Sequence, residues 1–212
     1  MQNNDFLRIS FEAKIKETGQ KFDSSDDIPI VVGGGYTLKS VEDALLEMNL
    51  GEKKTIEVPP EKAFGKRDTS LIKLIAIAEF RRHGTKPVPG MVVDADKMRG
   101  RVLSVSGGRV RVDFNHHLAG KILIYNLEVK QKIETQEDKI KALVEIFTRI
   151  KNKVSVKIIE KTAEVEVPPM INSVIKKRIA DESMKFLGLE KVKFVEIFEK
   201  LKESKKEEKK QL

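Results

Sequence analysis

Between Phe6 and Pro60 every regular run is short and ends at glycine or proline, and that punctuation constrains the fold more tightly than any other feature. Residues 6–15 alternate as a half-buried strand does, with Phe6, Arg8 and Ser10 on one side and Leu7, Ile9 and Phe11 on the other. A second extended run, Ile28 to Val32, stops at Gly33-Gly34-Gly35. Ser40 is placed to cap a short helix whose Val41, Ala44, Leu45 and Met48 follow helical spacing, with Gly51 closing it near Leu50. A third strand, Thr55 to Val58, runs into Pro59-Pro60. Extended segments around one short amphipathic helix predict a small open sheet wrapped on that helix.

At 212 residues and 40% hydrophobic side chains, the chain has room for one large domain or two to three small ones, and wholesale disorder is excluded. It contains no cysteine, so disulfide frameworks, thiolate nucleophiles and cysteine-bound metal centres are closed to it. No stretch approaches the roughly 20 apolar residues of a membrane span, and Met1 to Asp5 lacks the charged-then-apolar order of a secretory signal. A soluble, cytoplasmic protein is expected. The net charge of +8 is uneven: residues 1–66 carry 9 basic and 12 acidic side chains, whereas 67–130 carry 12 and 6. That shift puts a boundary near Lys66.

Two local patterns suggest chemistry and resolve otherwise. Gly33 and Gly35 begin a G-x-G-x-x-G series, but Leu38 fills its third position and no G-K-[ST] follows, so the glycines read as backbone freedom at a strand end. By its residues alone FDSSDD, at 22–27, reads as turn chemistry, and Asp23 has no nearby histidine to form a dyad.

The ordered set KFDSS at 21–25, GGGYTLKSVEDALLEMNLGEKKTIEVPPEKAFG at 33–65 and LAGKILIYNLEV at 118–129 closely resembles FKBP-type peptidyl-prolyl cis/trans isomerases. The intervening segment, leaving through VDFNHHLAGK at 112–121, resembles the long archaeal and SlyD-like branch, in which an insert-in-flap domain interrupts the loop over the active site. The resemblance implies an α+β protein with an antiparallel sheet wrapped on a short helix. Its implied parts are an isomerase domain at 1–66 and 118–133, an insert at 67–117, an accessory domain at 134–204 and a charged tail at 205–212. It also implies isomerisation of X–Pro bonds without cofactor, metal or covalent intermediate, on unfolded or partly folded polypeptides.

Carried over position by position, the resemblance makes Phe22 and Asp23 the family's Phe-Asp pair, with the ring on the pocket floor and the carboxylate facing the prolyl amide. Tyr125 matches an aromatic wall and Phe64 a position where many members have tyrosine. These four are the implied catalytic set. Substrate binding falls to Phe11, Ile28, Thr37, Leu38 and Val41, with Val41 replacing a customary tryptophan and Phe11 another tyrosine. A phenyl ring donates no hydrogen bond, so weaker binding of small ligands such as macrolide drugs is expected.

Within the insert, Ile72, Ile75 and Phe80 fit one face of a short helix, and Pro87 to Gly90 break the chain. Val102 to Val105 and Val110 to Phe114 then read as a hairpin around Ser106-Gly107-Gly108. In SlyD-like proteins the corresponding insert binds extended chains, which makes Leu71, Ile72, Leu74, Ile75, Ile77, Met91 and Met98 the candidate chaperone surface. The same module carries Arg81, Arg82, Arg99, Arg101, Arg109 and Arg111. That cluster supports a competing nucleic-acid-binding module, although only Phe80 and Phe114 offer rings for stacking. A metal-binding tail of the SlyD-like kind is absent from KESKKEEKKQL. Of the three histidines, His83, His116 and His117, the adjacent pair would point to opposite faces of a strand, so no metal site is expected.

Beyond Lys132, Thr135 and Asp138 make a cap-like start for a helix bearing Ile140, Leu143, Val144, Phe147 and Ile150. Val154, Val156, Ile158 and then Ala163, Val165, Val167 alternate as two strands. A second helix carries Ile171, Val174, Ile175 and Ile179 on one face and stops at Gly188, and a further helix is expected around Phe194 to Leu201. This α-β-β-α unit shows no catalytic constellation. It reads as an accessory domain for dimerisation or client binding, or as a structural cap on the isomerase. A chaperone or adaptor with a degenerate pocket stands as the alternative to the isomerase.

Overall fold

The computed structural model describes residues 1–95 and 98–198. Strand β1 (Phe6–Ile15) is central in a four-stranded antiparallel sheet ordered β2-β1-β8-β3, with β2 at Lys21–Val31, β3 at Lys53–Val58 and β8 at Leu123–Ile133. Helix α1 (Lys39–Glu47) lays Val41, Ala44 and Leu45 on this sheet, where they meet Leu7, Ile9, Leu123 and Val129. Fully buried Leu45 and Met48 each contribute about 1.5–3 kcal/mol relative to exposure.

Two local expectations change here. FDSSDD is not a turn but part of β2, because β1 pairs with it over its whole length. Ile9 faces Ile28 and Phe11 faces Ser25, so Ser10 stands against two residues and a β-bulge takes up the Asp26-Asp27 excess. The α1 cap is Leu38 rather than Ser40, without a side-chain bond, and Met48 is already the C-cap, short of Leu50. Glu42 instead ties the glycine loop to the helix, its Oε1 accepting the Gly35 N–H at 2.8 Å.

The insert is a four-stranded sheet ordered β4-β7-β6-β5, from β4 (Ile72–Ala76), β5 (Val92–Ala95), β6 (Met98–Ser106) and β7 (Arg109–Asp113), with helix α2 (Ile77–Arg82). Ile72 and Ile75 are therefore on a strand and not on the expected helix. Pairing of β4 with β7, Ile72 to Asp113 through Ala76 to Arg109, overrides a spacing that fits either period. The hairpin expected at Gly107-Gly108 is present, with φ of 57° and 73° as a two-residue primed turn demands. Its core is Phe80, Val102, Val110, Val112 and Phe114. The neck is cross-tied: Gly120 N–H donates to Gly65 O, Asn115 Nδ2 donates to Asp68 O, and Arg67 pairs with Asp113.

The last unit comprises α3 (Gln136–Thr148), β9 (Ser155–Ile159), β10 (Thr162–Val167), α4 (Ser173–Leu187) and β11 (Lys191–Glu196). Thr135 caps α3 as expected, its Oγ1 accepting from the Asp138 N–H, and Gly188 ends α4 in the left-handed region. The expected final helix is instead β11, parallel to β10 with α4 as crossover, so the unit is α-β-β-α-β. Residues 199–201 of that expectation lie outside the described residues, as does the tail at 205–212. Within KVKFVE, Val192 and Phe194 turn inward every second residue, a strand period. Val174 is 75% exposed and does not share the buried face of Ile175 and Ile179, whereas Ile171 is buried ahead of the helix.

This unit is not a separate bead on the chain. Its core includes Phe6 from β1 and Val31 from β2, so the sheet is buried on both faces at that end. Arg8 on β1 locks the junction, bonding Asp27 through Nε and Nη2 (2.6 and 2.7 Å) and Glu145 of α3 through Nη1 (3.1 Å). Among the described residues no helix is long and apolar enough to cross a membrane.

Candidate active site

A cleft of about 490 Å³ opens where β1, β2, the start of α1 and β8 converge. The bulge of β1 against β2 matters here, because it re-aims side chains around Phe11 and Ile28, and both line the cleft. Val41 is its buried floor. Tyr125 is the central ring: Phe11 stacks on it with centroids 6.4 Å apart at 28°, and Phe22 meets it edge-on at 6.1 Å and 82°. Such offset and edge arrangements hold the rings rigidly.

Phe11, Asp23, Ile28, Thr37, Val41 and Tyr125 line this one cleft, although they come from positions 11 to 125. Asp23 is exposed at its edge, and its Oδ1 accepts the Ser24 N–H at 2.8 Å. Burial raises the Tyr125 phenol above its ordinary pKa, and the Asp23 carboxylate adds to that effect, which puts negative charge beside the ring. Phe22 supports Tyr125 from behind and lines a second cleft on the insert side. Leu38 packs into the isomerase core at the α1 cap rather than lining the cleft. Phe64 is also outside the lining; it is 36% exposed and stacks on His116 with centroids 4.3 Å apart.

The sequence gives no sign that α3 builds the opposite wall. Glu145, Ile146, Arg149 and Lys151, from α3 and its end, face the cleft together with Tyr36. Arg149 is held in the left-handed conformation (φ 61°) as the α3 C-cap, its N–H donating to Glu145 O at 2.7 Å. Lys151 Nζ donates to Asp27 O at 2.9 Å. Tyr36 packs edge-on against Phe147 at 5.4 Å, and its pKa is raised by burial and by Glu182. A GGGY motif hints at an aromatic cleft residue, but nothing in the spacing of α3 does.

Of the candidate chaperone residues, Leu71, Ile75, Ile77, Met91 and Met98 are half-buried against the core of the insert; Leu74 is 63% exposed. Ile72 is half-buried on β4. The six arginines of the nucleic-acid reading are all exposed, two of them paired within the insert (Arg82 with Glu79, Arg99 with Asp94). His116 and His117 do not point to opposite faces: they lie in the turn after β7, beyond its strand geometry, with rings 4.5 Å apart. Among the described residues no three His, Asp or Glu side chains group as metal ligands.

The chain is similar to known proteins in each of its three units. Residues 1–81 match the family model of FKBP-type peptidyl-prolyl cis-trans isomerase, residues 73–118 that of the FKBP26 IF domain and residues 136–199 that of the FKBP26 C-terminal domain. A short-type peptidyl-prolyl cis-trans isomerase of Methanocaldococcus jannaschii is 35% identical over 126 residues, covering 58% of this chain and 80% of that one. The FKBP-type isomerase SlyD of Treponema pallidum is 32% identical over 135 residues, covering 60% and 76%. A probable FKBP-type 16 kDa isomerase of Pseudomonas fluorescens is 33% identical over 134 residues, covering 59% and 87%. With its aromatic cleft beside a β-rich insert, the chain belongs to the FKBP-type peptidyl-prolyl cis-trans isomerases of the SlyD-like kind.

Proposed function

We propose that X–Pro isomerisation takes place in the cleft built on Tyr125, Phe11 and Val41, and that the insert holds the unfolded chain that delivers the proline. The observation that carries this is the convergence of Phe11, Asp23, Ile28, Thr37, Val41 and Tyr125 on one aromatic-lined cavity. Amide resonance sets a barrier of ~18–20 kcal/mol, while the two isomers differ by only about 0.5–1 kcal/mol. At the top of that barrier the amide is twisted and its charge separation reduced. The aromatic floor and wall of the cleft hold the twisted form better than the planar one, which is differential binding rather than bond-making chemistry. Asp23, at the rim beside Tyr125, orients the prolyl amide electrostatically and takes no proton. Thr37 offers backbone groups at the mouth, with Leu38 holding the α1 start in place behind it. Phe22 and Phe64 act from outside the cleft lining, Phe22 by supporting Tyr125.

We divide the chain into an isomerase part at 1–66 and 118–133, an insert at 67–117 and an accessory part at 134–204. The accessory part completes the cleft with Ile146 and Arg149. Ile159, Met170 and Val174, each at least 75% exposed on it, suit a homodimer contact, which sedimentation of the full chain tests. A cysteine-free composition suits a cytoplasmic location.

The test is refolding of a protein limited by proline isomerisation, where the uncatalysed step takes about 10–100 s. Acceleration by the parent that falls in folded Asp23→Ala and Phe22→Ala variants supports the isomerase and its pocket. A well-folded parent that gives no acceleration overturns it. The second reading, a chaperone or adaptor with little catalysis, is favoured by one observation: Phe64 stacks on His116 and brings no hydrogen-bond donor to the cleft.

A further inference from the structure

We infer that the cleft between the insert and the isomerase sheet is a cationic site for acidic, apolar stretches of polypeptide flanking the prolyl bond, so that this isomerase selects its clients by charge. The inference rests on the proposed function of the neighbouring prolyl cleft. It starts from a cavity of about 810 Å³, larger than the prolyl cleft, walled by β2 on one side and by β5 and β6 on the other.

Lys21, Arg67, Arg99, Arg101 and Lys121 all line that cavity; among the described residues Asp113 is its one carboxylate. Asp113 is already committed, to Arg67 and to the backbone and side-chain N–H groups of Asn115. Arg101 and Lys121 make no ion pair among the described residues; burial first, then His116 and after it these two cations hold the His117 pKa below its ordinary value. Lys21, Arg67 and Arg99 have partners in Glu12, Asp113 and Asp94, which leaves Arg101 and Lys121 as neighbouring cations that repel one another. A carboxylate brought into the cavity relieves that repulsion, with a gain that ions in solution screen.

The ligand is not a simple anion, because the same walls are apolar. Val92 and Leu103 are exposed on β5 and β6, and Phe22 faces them from β2. Phe22 also joins the two cavities, since its ring packs on Tyr125 of the prolyl cleft. An extended chain advances ~3.3–3.6 Å per residue, so residues a few places from the proline lie over Phe22 and reach Arg101. Nucleic acid fits less well: apart from the two histidines Phe22 is the only aromatic in the lining, and single-strand binders stack successive bases on several rings.

The test uses the full chain and two fluorescent peptides with one shared apolar X–Pro core, one flanked by four glutamates and the other by four lysines. Anisotropy at low salt is expected to show the acidic peptide binding about tenfold more tightly, a difference of about 1.4 kcal/mol, shrinking as salt rises. The double variant Arg101→Glu, Lys121→Glu is expected to reverse the preference, and Arg101→Gln, Lys121→Gln to abolish it. Equal affinities in the parent, or a preference untouched in both folded variants, overturn the proposal. So does displacement of the acidic peptide by a single-stranded oligonucleotide of equal length at lower concentration than by the unlabelled peptide. Turnover of a proline tetrapeptide too short to reach Arg101 is followed in the parent alongside. Its absence faults the prolyl reading, whereas a missing charge preference beside normal turnover faults the second site.

Discussion

The two cavities flanking Phe22 are built on opposite electrostatic plans. Around the prolyl cleft both signs of charge are present and most are paired: Asp27 and Glu145 hold Arg8 and Lys151, while Asp23 and Arg149 face the cleft without an ion pair among the described residues. Around the interdomain cleft, cations outnumber carboxylates and Arg101 and Lys121 stand without ion pairs among the described residues. Neutralised charges cost a cavity little and leave its apolar rings to act on an amide whose charge separation falls on twisting. Unneutralised charges do the reverse, attracting a charged chain over distance without fixing any one bond.

The contrast breaks most visibly at Tyr125. Replacing it by alanine removes the ring that both Phe11 and Phe22 pack on, and about 3 kcal/mol of stability with it, along with measurable isomerisation. Urea midpoints and proline-limited refolding read both effects.

Next is Glu145→Gln, which removes one charged partner of Arg8 at the junction where the side chain of Glu145 is only 10% exposed. A loss of about 2 kcal/mol is expected, again by urea unfolding. Its pH dependence follows from Asp27, whose pKa is lowered chiefly by the hydrogen bond from Arg8. A depressed carboxylate contributes stability that is fully present above its unfolded value of 3.8 and is lost as pH falls through the folded value. Asp27→Asn should flatten that acid limb, and an unchanged limb would show that the junction ion pairs contribute nothing.

A smaller effect is expected from Gly100→Ala in β6, since an added Cβ meets Phe114 and Val112 at 2.7 Å. Overpacking costs about 1–3 kcal/mol and falls on the insert, so hydrogen exchange should rise in β6 and β7 before it rises in β1. The smallest is at His117. Its lowered pKa, from burial first and then His116, Lys121 and Arg101, means stability present above pH 6.5 and lost as pH falls through the folded value. His117→Asn should remove that shallow slope; a variant as pH-sensitive as the parent would place the slope elsewhere.

Much of this was legible before any coordinates. Strand period in β1, the apolar spacing of α1, the glycine turn at 107–108 and the Thr135 and Gly188 caps are local signals, and each appears where the residues put it. Sequence and structure differ where a segment fits two periods. Ile72 and Ile75 are three apart and satisfy either helix or strand, and only β7 decided between them. The KVKFVE segment carries a clear two-residue alternation that a helical reading of the sequence to its right overrode. FDSSDD has turn composition, yet a bulge let β1 pair across it.

By itself the sequence determined the antiparallel core, the presence of an insert and six residues that meet in one cleft, while Phe22, Leu38 and Phe64 fall outside its lining, because local periodicity and an ordered set of motifs reach that far and no farther. It did not determine which surfaces meet. That Glu145, Ile146 and Arg149 wall a cleft whose other side comes from β1, β2 and the start of α1, and that Lys21 and Arg101 share another, was decided only when the three units packed. The physical reason is that periodicity reports which face of an element is buried and carries no information about the partner. The partner is selected by long-range burial and by charge pairing, here through Phe6 in the core of the last unit and Arg8 between Asp27 and Glu145.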